Sequence, residues 1–217
     1  MSSPNFEFQL QHLAGKAITP AKRLSDNDAI RLSVAKRTLD QNYLEIEEYI
    51  DGDLSTNPMF ICHQDRREEE GFEALRLLHN YLSSVYSFNE TVRVLVNQHT
   101  QEEITLKSSD FAATSSSTSS FYARKLSFLR GLRTDFQHGG FSCLSFEKAG
   151  ELGDFGGYHV IFDRDSFMND SGLREPNRFL RHTNEREQQR PLCFVGTFHK
   201  RSLHEFYADV ESWFQEG

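Results

Sequence analysis

Seven apolar residues, Leu75, Leu78, Leu82, Val85, Phe88, Val92 and Leu95, recur at three- and four-residue intervals along one stretch of this chain. That spacing puts them on a single face of an α-helix. A helix from Phe72 to Gln98 would be about 40 Å long, enough to span a small domain, so the rest of the chain has to pack along it. The expected fold class is therefore mainly α, an antiparallel helical bundle. Of the 217 residues, 37% are hydrophobic and 19 are Phe, which supplies a Phe- and Leu-rich core.

Three further helices read out of the same periodicity. From Asp28, the residues Ile30, Val34, Leu39, Tyr43, Leu44, Ile46 and Ile50 return at helical intervals until "DGDLSTNP" closes the segment. Phe121, Tyr122, Leu126, Phe128, Leu129, Leu132 and Phe136 form another set, and Gly139–Gly140 suits a left-handed C-terminal cap just past His138. The tail "SLHEFYADVESWF" collects Leu203, Phe206, Tyr207, Val210, Trp213 and Phe214 on one side of a closing helix. Between the last two helices, "FSCLSF" and "YHVIFD" flank "EKAGELGDFGG", the pattern of a small β-hairpin near 141–163. Residues 1–25, with Pro4 and Pro20, read as an irregular lead-in or a short strand, and the Ser/Thr-rich 110–121 as a loop. The chain divides into an N-terminal extension with the first helix (1–60) and a helical domain (61–217).

Composition narrows the function classes. A mean hydropathy of −0.59 describes a rather polar globular chain, and a formal net charge of −8 with a pI near 5.6 argues against broad, non-specific nucleic-acid binding. Local basic patches remain: Arg124, Lys125, Arg130 and Arg133, and a second run from Arg174 to Arg190 broken by Glu175, Glu185 and Glu187. No apolar run approaches a membrane span and the N-terminus lacks a secretion-signal pattern, so the expected compartment is the cytoplasm, with no membrane partner. Cys62, Cys143 and Cys193 are too few and too scattered for a disulfide framework or a zinc site, and Cys193, His199 and His204 lack a fourth ligand nearby. "GDFGG" has no phosphate loop or catalytic loop before it and reads as a turn.

One stretch carries possible chemistry. In "FLRGLRTDFQHGGF", Arg133 and His138 stand near the end of an amphipathic helix, separated by four residues. This resembles the R-x(4–6)-H signature of the HEPN superfamily, all-α domains many of which are metal-independent endoribonucleases. The long helix carrying "LHNYLSSVYSFNETVR", the motif helix, the hairpin and a Trp-containing final helix follow the same order. The resemblance implies RNA cleavage by attack of the ribose 2′-hydroxyl, leaving a cyclic phosphate, with no cofactor and no metal. His138 would be the acid/base and Arg133 the phosphate clamp, with Arg130 and Arg124 as substrate-binding residues. Asn80, in a row of small polar residues with Ser84, Ser87 and Thr91, would support the site. So would Thr134, which stands where relatives place Asn, Asp or His.

Residues five apart on an ideal helix diverge by about 140°. The resemblance therefore implies a homodimer in which two motif helices meet at one cleft, acting as a toxin or antiviral defence effector under an antitoxin or regulatory protein. The same residues have simpler readings. His138 serves as a helix C-cap, Arg133 pairs with Asp135 or Glu90, and Asn80 is a core amide. The functional alternative is a non-catalytic, dimeric interaction or nucleotide-binding module.

Overall fold

The computed structural model describes residues 6–7, 10–11, 14–21, 23–49, 64–100, 106–107, 121–138, 144–148, 158–162 and 195–216; for 64–72, 121–125, 127, 135, 138 and the two strands it describes the backbone alone. The expected "DGDLSTNP" and Ser/Thr-rich loops, the Gly139–Gly140 cap, the "EKAGELGDFGG" turn, the three cysteines and the second basic run lie outside these residues.

The fold is mainly α-helical. Helix α1 covers Asp26–Tyr49, α2 Gln64–Gln98, α3 Phe121–His138 and α4 His204–Gln215. Strands β1, Leu144–Lys148, and β2, Tyr158–Phe162, pair antiparallel, with Leu144 opposite Phe162 and Lys148 opposite Tyr158. A π-helical turn, Phe198–Leu203, leads directly into α4.

Helix α2 is the spine. At 35 residues it begins eight residues earlier than its apolar stripe implies, because the charged "QDRREEEG" continues the helix instead of preceding it. Leu78, Leu82, Val85, Phe88, Val92 and Leu95 are buried as the spacing requires, together with Ala74, Leu77, Tyr81 and Val96. Helices α1 and α3 both pack on α2, and the π turn reaches α3. The α3 core set, Leu126, Phe128, Leu129, Leu132 and Phe136, is buried, as are Phe206, Val210, Trp213 and Phe214 of α4.

Helix α1 departs from its expected face. Its buried residues are Leu32, Leu39, Tyr43, Ile46 and Tyr49, whereas Ile30, Val34 and Leu44 are exposed at 60%, 58% and 45%. The sequence carries two apolar stripes on one helix, and only packing against α2 selects which is the core. Ser25 caps the start of α1: its hydroxyl oxygen accepts the Asp28 N–H at 3.2 Å and donates to Asp28 Oδ2 at 2.8 Å.

The lead-in belongs to the core. Phe6 and Leu10 are fully buried, and the Phe6 ring meets Phe206 and Trp213 edge-on at 5.3 and 5.8 Å. Gly15, at φ 67°, takes the left-handed conformation that glycine tolerates best. The segment is then tied to the end of α2 by the Ala21 N–H, donated to the His99 carbonyl at 2.6 Å, and by a Pro20–Thr100 bridge. Beyond α2 the chain is held back onto it: the Leu106 carbonyl accepts from Arg93 at 2.6 Å and from Asn97 at 3.1 Å.

Candidate functional site

Helix α3 runs back along α2 through two ring contacts. The Arg133 guanidinium carbon lies 4.2 Å from the Tyr86 ring centre, and Phe136 stacks with His79 at 6.2 Å. His79 and Tyr86 are seven residues apart, two helical turns, and so share a flank of α2. The contact holds a long cationic side chain against an aromatic face, an attraction of about 0.5–2 kcal/mol depending on solvent access. Arg133 Nε is buried and meets no acceptor. Glu90, one of the two carboxylates in reach by sequence, instead pairs with Arg93 at 3.0 Å; the side chain of Asp135 lies outside the described residues. Among the described residues no carboxylate neutralises Arg133.

Arg130, one turn earlier on α3, is exposed. The Thr134 hydroxyl donates to the Arg130 carbonyl at 3.0 Å, so it is spent on its own helix. His138 is the last residue of α3; its side chain and that of Arg124 lie outside the described residues. Asn80 is half-buried, and its main-chain carbonyl accepts from Asn42 of α1 at 3.5 Å. In the polar row of α2, Ser84 donates to the Tyr81 carbonyl at 2.8 Å and Thr91 to the Ser87 carbonyl at 2.9 Å. These hydroxyls serve their own helix.

A second constellation had no motif to announce it. The π turn buries His199 between α1 and α2, where its ring stacks on Tyr43 at 4.1 Å and 10°. Its Nε2 lies 3.0 Å from Asp40 Oδ1, and its Nδ1 3.3 Å from the Tyr81 hydroxyl. Desolvation by burial pushes the His199 pKa down to about 4, against the opposing pull of Asp40. The ring is therefore neutral at pH 7, its Nε2–H donating to Asp40 and its Nδ1 accepting from Tyr81. Both nitrogens are engaged, which suits a structural joint rather than a base open to substrate. Lys36 also binds Asp40, and Lys200 binds Glu47. The Tyr43 phenol, raised by burial and then by Glu47, donates to Glu47 at 3.3 Å. The partners of His199 come from positions 118 or more residues away in the chain, so no local pattern could disclose them.

A third polar group closes the N-terminal end of α1. His99 Nε2 meets Asp28 Oδ2 at 3.1 Å, while His99 Nδ1 is buried without a partner. The Ser25 hydroxyl and then His99 hold the Asp28 carboxyl below the usual carboxylate range. Close by, a cavity of about 560 Å³ is lined by Arg23, Leu24, Ser33, Tyr207, Glu211 and Phe214 among others, all from α1, the segment before it, or α4. It receives nothing from the polar row of α2 or from α3. Among the described residues, no group of three His, Cys, Asp or Glu is placed to hold a metal ion, and no helix is long and apolar enough to cross a membrane. No protein-family model, curated protein or solved structure matches this chain.

Proposed function

We propose that this protein is a HEPN-type, metal-independent endoribonuclease, a homodimer in which two α3 helices approach a two-fold axis and line one cleft. The observation that carries the reading is Arg133: an always-charged group, fixed against Tyr86 and with no carboxylate neutralising it among the described residues. A phosphate clamp requires a cation of this kind, held in place and left with unspent hydrogen-bonding capacity. In the cleft the guanidinium binds non-bridging phosphoryl oxygens. His138 accepts the 2′-hydroxyl proton or protonates the leaving 5′-oxygen, giving a 2′,3′-cyclic phosphate and a 5′-hydroxyl. Arg130 and Arg124 guide the RNA backbone, and Asn80 and Thr134 support the site. The strands β1 and β2 form the hairpin that follows the motif helix in this bundle. Such an enzyme acts as a toxin or defence effector in the cytoplasm and is held in check by an antitoxin or regulatory protein.

The test compares wild type with His138→Ala and Arg133→Ala on transfer RNA and total RNA in excess EDTA, with analysis of fragment termini. Cleavage with cyclic-phosphate ends by wild type, reduced about 100-fold or more in each variant, is the expected result. Equal cleavage by wild type and His138→Ala would overturn the catalytic assignment. A folded dimer that cuts no RNA would leave the non-catalytic interaction module in its place.

A further inference from the structure

We propose that the outer face of α1 is a self-association seam whose occupant is α1 of a second copy, packed antiparallel. Ile30, Val34 and Leu44 are the large hydrophobic side chains that stay exposed among the described residues, and all three lie on this one helix. They fall in register with the exposed Arg37, Gln41 and Glu48 at intervals of four, three, four, three and four residues, the seam spacing of a coiled coil. Leu32, Leu39 and Ile46, which face the protein's own core, occupy the opposite positions of the same repeat. The helix thus has one stripe buried at home and another presented outward.

Charge chooses the direction of the partner. Beside the seam stand Arg31, Thr38 and Glu45 at seven-residue intervals. A parallel pair would set Arg37 against Arg37 and Glu48 against Glu48 within the seam itself. An antiparallel pair centred between Arg37 and Gln41 sets each Arg31 against the partner's Glu45 and each Val34 against the partner's Leu44. Thr38 then faces its own copy. The polar centre of the seam, Arg37 and Gln41, limits its strength.

The seam does not rest on the ribonuclease reading. Tyr81, which meets Tyr43 of α1, and the His79–Tyr86 flank that meets α3 point roughly 150° apart on α2. Cleavage and association through α1 are therefore separate readouts. Sedimentation velocity of the full chain across a concentration series tests the seam. Val34→Glu alone and Leu44→Lys alone should each weaken association by about tenfold or more. The double variant V34E/L44K should recover it, because the introduced acid and base face each other in both halves of an antiparallel pair. Far-UV circular dichroism confirms that the variants fold, as surface positions permit. A wild type monomeric at every concentration, single variants that associate like wild type, or a double variant no tighter than the singles would each overturn the proposal.

Discussion

His199 is a histidine whose protonation works against the fold. In the unfolded chain its imidazole titrates near its ordinary value of 6.5; in the folded protein burial lowers this to about 4. Between those values the unfolded state binds more protons, so stability is complete above about pH 6.5 and declines as pH falls toward 4. With allowance for partial solvent access, the contribution is on the order of 2 kcal/mol. Urea denaturation from about pH 7 down to 4.5 should show this decline in wild type. The His199→Gln protein, which keeps a donor and an acceptor but does not titrate, should show a shallower one. An unchanged slope in the variant would assign the pH dependence elsewhere. Ser25 is the other residue with a sharply local role: Ser25→Ala removes the α1 cap while Asp28 keeps its contact with His99, and should cost about 1 kcal/mol in the same assay.

At the scale of elements, the π turn and α4 close the bundle. The turn inserts one extra residue per backbone hydrogen-bonded ring ahead of α4, and its buried members include Phe198, His199 and Leu203. Helix α4 then lays Phe206, Val210, Trp213 and Phe214 into the core. Trp213, 1% exposed and edge-on to both Phe6 and Phe214, anchors this closure. Trp213→Ala should destabilise by about 3–5 kcal/mol, read as a lower denaturation midpoint without a changed slope. Helices α2, α3 and α4 were legible from periodicity because each carries one apolar stripe. Helix α1 was legible as a helix but not in its orientation, since Ile30, Val34 and Leu44 satisfy the same spacing rule as the residues that are buried.

For the whole molecule, the proposed seam on the outer face of α1 and the α3 axis of the proposed composite cleft belong to helices packed on different flanks of α2, so the two contacts are separate. Two distinct two-fold contacts on one chain build an assembly larger than a dimer, which closes as a dihedral tetramer where the two axes cross at right angles. Val34→Glu should then reduce that larger assembly to a dimer while cleavage persists, measured by light scattering and RNA digestion on the same sample. Parallel loss of both would show that the cleft depends on the α1 contact. What the sequence by itself determined is that α1 to α4 are helices and where the core stripe of α2, α3 and α4 lies, because amphipathic periodicity is local and survives without neighbours; the helical residues of the lead-in and the π turn were not read from it. Tertiary structure alone decided which face of α1 is buried, that Phe6 and Leu10 complete the core, and that His199 joins Asp40 and Tyr81. It also decided that Arg133 stacks on Tyr86 rather than pairing with Glu90. Each of these depends on groups far apart in the chain, and their meeting is set by packing, to which short-range sequence spacing is blind.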